Sequence, residues 1–339
     1  MKDISIFLGA NTGRGFSSLY EEYIGGLDLR RSCVLKGSAG CGKSSLMKRL
    51  AAHAAGIGMP VIRVLCSGDP DCLDGLVLPE LKTAFFDGTS PHVLEPALVG
   101  QRGFYLDLSR FYRTPAEGLE VWNEAYKEHY RKAYRYLAAA SALEEVERCG
   151  EDARLAIRRR AEALAASTLG RVKGRGVLRR FYTDAFTCKG LVTLVDSRRA
   201  IAPRLVALTG SPERRDLFLR DYLQAALQRG SEVFLCPDPR ENSRIAHLLL
   251  PELGFGLTTG EGDRRIHLER LGLPPSQEEK AEQRRLEKTQ ASLLAAARDE
   301  LALAKADHDR MEEAARPFID FDGVTALTEE IISKVFDGA

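Results

Sequence analysis

Between Gly37 and Ser45 the chain reads Gly-Ser-Ala-Gly-Cys-Gly-Lys-Ser-Ser, which satisfies the spacing G-x-x-x-x-G-K-[ST]. This pattern suits the cradling of a phosphate chain. Gly37, Gly40 and Gly42 let the backbone approach phosphate oxygens in conformations that other residues resist. The amides from Ser38, Ala39 and Cys41 through Lys43, Ser44 and Ser45 can then point at the anion, helped by the dipole of the helix that follows. Lys43 would lie along the β- and γ-phosphates of a nucleotide and neutralise charge as the γ-phosphoryl group leaves. The Ser44 hydroxyl would hold Mg²⁺.

A second magnesium-side group is expected where an apolar strand ends in a carboxylate. Ala84-Phe85-Phe86-Asp87 fits, and Asp87 is the preferred residue; Asp69 in "VIRVLCSGDPD" is its rival, able also to face an acceptor or cap the next segment. His92, just after "DGTSP", has two readings, a γ-phosphate sensor or a loop histidine held by packing.

The loop needs a strand before it and a helix after it. "RSCVLK" is a short β-prone run and "SSLMKRLAAHAA" a helix start. Apolar runs then alternate with loops and helix, the pattern of an α/β core with a parallel sheet covered on both sides.

Comparing the chain with itself shows the same plan twice, with a period of about 170 residues. Phe7 to Phe16 lies over Tyr182 to Leu191, sharing Ala-x-Thr-x-x-Gly. "VLKGSAG" lies over "VALTGSPE", and "VIRVLCSGDP" over "EVFLCPDP". "LPEL" recurs at Leu78 and Leu250, each followed by a histidine, His92 and His267. In the second copy Gly210-Ser211 remain, Glu213, Arg214 and Arg215 replace the glycines, Asp216 stands against Lys43 and Leu217 against Ser44, while the position of Asp87 falls near Thr259. Such a loop offers phosphate only repulsion, so the second copy is expected to be nucleotide-free. Arg214 or Arg215 could reach across as an arginine finger, or could be surface arginines on a decayed loop.

Each copy ends in helix. Residues Glu117 to about Ser167 read as a helical hairpin broken near Cys149-Gly150, and Ser276 to Ala315 as a long helix stopped by Pro317. Division into modules 1–172 and 173–339 follows, each an α/β unit with a C-terminal helical hairpin. The charged helical surfaces are solvated faces or the place where a protein partner would meet the hairpins.

Composition narrows the class. A net charge of +1, with 44% apolar and 29% charged residues, gives no reason to expect nucleic acid or an anionic membrane as partner. No signal-peptide core and no apolar run of membrane-spanning length occurs, and seven cysteines without CxxC pairs fit reduced thiols, so a cytoplasmic protein is expected.

The combination of "FLGANTGRGF", "KGSAGCGKSSLMKRL", "CSGDPDCLDGLVLPEL", "FFDGTSPH" and "AKADHDRMEEAARPFIDFDGV" resembles a group of bacterial tandem P-loop ATPases, over almost the whole chain. The resemblance implies two related P-loop NTPase modules with ATP as ligand, Gly37 to Ser45 as the phosphate loop, and "CSGDPD" and "DGTSPH" as borders of the site. In such a group the second loop would be closer to a working one, so Gly-Ser-Pro-Glu-Arg-Arg-Asp is a departure. Three functions follow: a MgATP-hydrolysing switch, a P-loop kinase using Asp69, Asp71 or Asp74 against an acceptor with Arg102, Arg110 and Arg113 over the phosphates, or a scaffold stabilised by ATP without turnover. The absence of an NKxD-like guanine motif favours ATP over GTP.

Overall fold

The computed structural model describes residues 3–114, 119–143, 149–170, 174–271 and 276–337. In the first half the order is β1 (Ile4–Phe7), β2 (Gly9–Thr12), β3 (Gly15–Ser18), α1 (Tyr20–Gly25), β4 (Arg31–Lys36), α2 (Lys43–Gly56), β5 (Ile62–Leu65), β6 (Leu73–Leu78), β7 (Thr83–Asp87) and β8 (Gly103–Asp107), then α3 (Glu120–Ala142) and α4 (Glu151–Thr168). The second half repeats it with β9 (Val177–Arg180), β10 (Asp184–Thr187), β11 (Gly190–Thr193), α5 (Val195–Ile201), β12 (Arg204–Thr209), α6 (Pro212–Gln228), β13 (Glu232–Pro237), β14 (Ile245–Leu250), β15 (Phe255–Thr258) and β16 (Arg264–His267), then α7 (Gln277–Ala315) and α8 (Phe321–Ile332).

The two six-stranded sheets have one topology. Their orders are β1-β5-β6-β7-β4-β8 and β9-β13-β14-β15-β12-β16 when read from the same end. Strand directions match pair by pair, and even the register shift recurs, between Val64 and Leu65 in β5 and between Cys236 and Pro237 in β13. The internal repeat read from sequence is therefore a repeat of architecture.

Three expectations need correcting. The sheets are mixed rather than parallel, because β6 and β14 run antiparallel to both neighbours. Only residues 66–72 and 79–82 join β6 to its neighbours, too few for the crossover of a dozen or more residues that a parallel return requires. His92 and His267 also do not correspond in space. Lys36 pairs with Asp107 and Thr209 with His267, so His267 takes the place of Asp107, while His92 lies in the longer loop from Gly88 to Arg102.

Nor do the terminal helices form a hairpin within each half. Helix α3 runs along α7, where Ala133 and Leu137 meet Ala297 and Leu301 around Phe186. Its stripe of Tyr126, Tyr130, Tyr134 and Leu137 recurs every three or four residues and is aromatic enough to need a long apolar partner, which α7 supplies over its 39 residues. Helix α4 instead sits on α6, with Ile157 and Ala161 against Leu219 and Tyr222 in the second core. Helix α8 enters the first core, where Leu327 and Ile319 meet Leu46, Leu50 and Phe85. Packing thus crosses the 1–172 and 173–339 division, whose boundary lies outside the described residues.

The sheets meet at equivalent points. Phe7 and Tyr182 exchange both backbone hydrogen bonds at 2.8 Å, and Ile6, Tyr20 and Val64 share one apolar cluster with Phe181, Leu205 and Leu249. The β10–β11 turn reaches the first half, where Cys188 N donates to Gly68 O and Lys189 pairs with Asp71 at 2.6 Å. Among the described residues no helix is long and apolar enough to cross a membrane.

Candidate functional site

Strand β4 delivers the glycine-rich loop at its C-terminal end, and α2 begins at Lys43 directly behind it. Gly37, Gly40 and Gly42 all have left-handed backbone, with φ of 143°, 75° and 95°. A Cβ on Gly37 would also collide with Cys41 Sγ at 2.6 Å, while one on Gly40 or Gly42 would stand in tight contact, 3.2 Å from the Glu312 backbone or the Val324 side chain. Glycine is required there by torsion and by space. The loop residues Ser38 and Ala39 lie toward the surface, Cys41 is buried, and Ser45 is exposed on the first turn of α2.

Lys43 is buried, and its Nζ donates to Gly37 O at 2.7 Å and Ser38 O at 3.0 Å, drawing the loop around its own ammonium. The same nitrogen stands 3.7 Å from Asp87 Oδ2. Parallel pairing of β4 with β7 sets Leu35 against Asp87, so the two strands carry loop and carboxylate to one edge. Asp87 Oδ1 accepts from Thr89 N and Oγ1, which fixes the carboxylate and leaves Oδ2 turned to Lys43. Ser44 Oγ accepts from Leu73 N at 3.0 Å, tying α2 to the start of β6.

The structure sets Lys43 and Asp87, both singled out from sequence, side by side, and surrounds them with groups that sequence did not place there. Asp74, one residue before the Gly75 that pairs with Phe86, is buried and bonds both Tyr20 Oη and His92 Nε2 at 3.2 Å. His92 lies in a wall of Tyr20 and Phe16. This packed position fits the structural reading of that histidine. Burial pushes the His92 imidazole down, but the hydrogen bond and charge of Asp74, with Asp87 beyond, outweigh it and raise the group above its usual value. A raised folded value stabilises the fold fully below the unfolded histidine value of about 6.5, and that part is lost as pH rises through the folded value. Asp74→Asn should therefore flatten the fall in unfolding free energy between about pH 6 and 8, and should lower the His92 titration midpoint read by NMR; an unchanged midpoint would contradict the pairing.

Asp69, the rival carboxylate, is engaged elsewhere. Its Oδ2 meets Lys305 of α7 at 3.3 Å and its Oδ1 accepts from Asp71 N. Burial pushes its carboxyl up, and the Asp71 amide, the Cys72 thiol and Lys305 together hold it below the usual range. Helix α7 is what sequence alone did not place. Lys305 and Glu312 are seven residues apart and so on one helix face; Lys305 reaches Asp69, and Glu312 reaches the loop, where its Oε1 accepts from Gly40 N at 3.1 Å. The signal was present as a charged i, i+7 pair, but its counterpart is more than 200 residues away.

No family model, curated protein or solved structure matches the chain.

The second copy explains its own loss. Ile245 N donates to Asp216 Oδ1 just as Leu73 N donates to Ser44 Oγ, so Asp216 stands in the place of Ser44, and Arg215, not Asp216, in that of Lys43. Register likewise sets Thr259, the residue after Thr258, in the place of Asp87. Gly210 keeps a left-handed φ of 117°, but Ser211 caps α6 through Arg214 N and Pro212 takes its first position. A serine cap with proline next to it favours winding, so residues that form an open loop in the first copy become the first turn of α6. Arg214 is buried and donates to the carbonyls of Leu268 and Leu271, and Arg215 lies beside Arg240 and Asp238. Both arginines face their own half. Arg113 pairs with Asp320, and Arg110 covers the Phe111 ring.

For Mg²⁺ the donor set has the right chemistry. The Ser44 hydroxyl and Asp87 Oδ2, which faces Lys43, are hard oxygens, and magnesium takes one or two such protein groups beside phosphate oxygens and water.

Proposed function

We propose that the chain is an ATP-binding P-loop NTPase of the tandem type its sequence resembles, with one MgATP site in the first half and a nucleotide-free second half. The observation that carries this reading is the joining of a left-handed glycine loop, the N-terminus of α2 and Lys43, set 3.7 Å from a carboxylate on the adjacent parallel strand. Loop amides and the helix dipole supply positive potential, Lys43 supplies a full charge, and Asp87 with Ser44 supplies oxygen for a cation. Bound magnesium would draw charge from the leaving phosphates. Lys43 then orients the phosphate chain and offsets charge as it develops.

Hydrolysis is preferred to transfer. Asp69, Asp71 and Asp74, the acids a phosphotransferase would turn to an acceptor, are bound to Lys305, Lys189 and the Tyr20–His92 pair. None of the seven cysteines is in a disulfide, which suits the reduced thiols of a cytoplasmic protein. Phosphate release from MgATP and MgGTP by the purified chain tests the reading, with ATP as the preferred substrate; bound MgATP without release would move the assignment to a scaffold.

A further inference from the structure

The phosphate loop already carries an anion, and it belongs to the protein. Glu312 on the last turns of α7 accepts the Gly40 amide at 3.1 Å, and its backbone stands 3.2 Å from where a Gly40 side chain would begin. Nearby, Val324 of α8 comes within 3.2 Å of the equivalent point on Gly42. The carboxylate therefore sits on one of the donors that the loop would turn to phosphate, and the helix behind it closes over the loop. Its neighbours on α7 point the same way: His308 Nδ1 is 3.6 Å from Glu312, and Lys305 bridges Asp309 and Asp69 at the loop's border.

We propose that Glu312 is an internal plug of the phosphate site, which a nucleotide must displace to bind, so that occupancy of the loop is coupled to the seating of α7. This rests on the nucleotide reading above. A carboxylate and a phosphate compete for the same N–H, and like charges at one amide exclude one another. Binding is then weakened by the fraction of molecules in which the plug is out. Because α7 carries the whole seam with α3, its release would reach the face where Tyr130 and Leu137 pack. The gate is built from the second half of the chain, which gives the duplication a role that does not need a second nucleotide.

The test is a calorimetric titration of the full chain with MgATP in four forms: wild type, Glu312→Gln, Glu312→Asp and Glu313→Gln. Glu313 is exposed one position along the same helix and controls for net charge. Glu312→Asp keeps the charge and shortens the reach. The plug predicts about tenfold tighter binding for Glu312→Gln, a smaller tightening for Glu312→Asp, and Glu313→Gln within twofold of wild type. Unchanged or weaker binding by Glu312→Gln overturns the plug while leaving the nucleotide site in place, as does equal tightening in Glu313→Gln. No binding by any form defeats the nucleotide reading and the plug with it.

Discussion

Lys43→Ala should reduce phosphate release from MgATP by about a hundredfold or more, the scale on which removing one aimed charge or donor from a phosphoryl- or acyl-transfer site is felt. Two losses combine. The ammonium that would accompany the γ-phosphate disappears, and so do its bonds to Gly37 O and Ser38 O, which hold the loop closed on itself. Asp87, set 3.7 Å from that ammonium, is then left as an uncompensated negative charge beside the phosphates. The defect should appear in kcat and not only in KM, since the interaction strengthens as charge develops. Release by the variant within a few-fold of wild type, with the fold intact by thermal unfolding, would place the chemistry elsewhere.

Arg198→Leu should cost about 3 to 5 kcal/mol of unfolding free energy, the range for breaking a buried charge pair from one side. Arg198 is among the largest fully buried side chains and bonds Asp184 at 2.7 Å, while the other carboxylate oxygen lies 2.6 Å from His247, which itself bonds Thr258. Burial alone would push the Asp184 carboxyl up; His247 and Arg198 outweigh it and hold it at about 2. The folded value is lower than the unfolded one, so the contribution is fully present above the usual 3.8 and is lost as pH falls through about 2. The displacement corresponds to about 2 to 3 kcal/mol. Urea unfolding at pH 7 and over pH 2 to 5 would show both effects: the variant starts lower and its acid limb is flatter. Adding Asp184→Asn to Arg198→Leu should recover part of the loss, because no unpaired charge remains buried. A loss below about 1 kcal/mol in the single variant would mean that the cluster is hydrated and not a structural lock.

That cluster stands at the start of β14 and the end of β15, next to Thr259, where the first half has Asp87. Where one copy assembles Lys43, Asp87 and an open loop, the other has filled the corresponding end of its sheet with a closed network of Asp184, Arg198, His247 and Thr258. The second copy thus keeps the sheet and exchanges the site for internal polar bonds.

What could be read from sequence was what is local. The strand before the loop, the glycines with their left-handed torsions, the helix starting at Lys43 and the start of α7 near Ser276 all depend on neighbours within a few residues. The repeat was legible because two copies of one strand order require similar apolar runs. Direction was not, since β6 carries the same apolar signature whether it runs with its neighbours or against them, and only the short joining segments decide it. The partners of α3, α4 and α8 were also hidden. An amphipathic stripe states that a helix must bury a face, not against which element, and Tyr130 finds its cover beside α7 from the other half of the chain. The offset of one residue in the second loop was invisible for the opposite reason. Aligning from β12 sets Asp216 on Lys43, and only the hydrogen bond from Ile245 N shows it in the role of Ser44.

A single nucleotide site at the first loop is the central proposal, and the stoichiometry of MgATP binding measures it most directly. Titration calorimetry on the full chain should give one nucleotide per chain, with binding weakened in Lys43→Ala and unchanged in Arg215→Ala, the substitution at the matching place in the second copy. Two sites per chain, no site, or binding unchanged by Lys43→Ala and weakened by Arg215→Ala would contradict it.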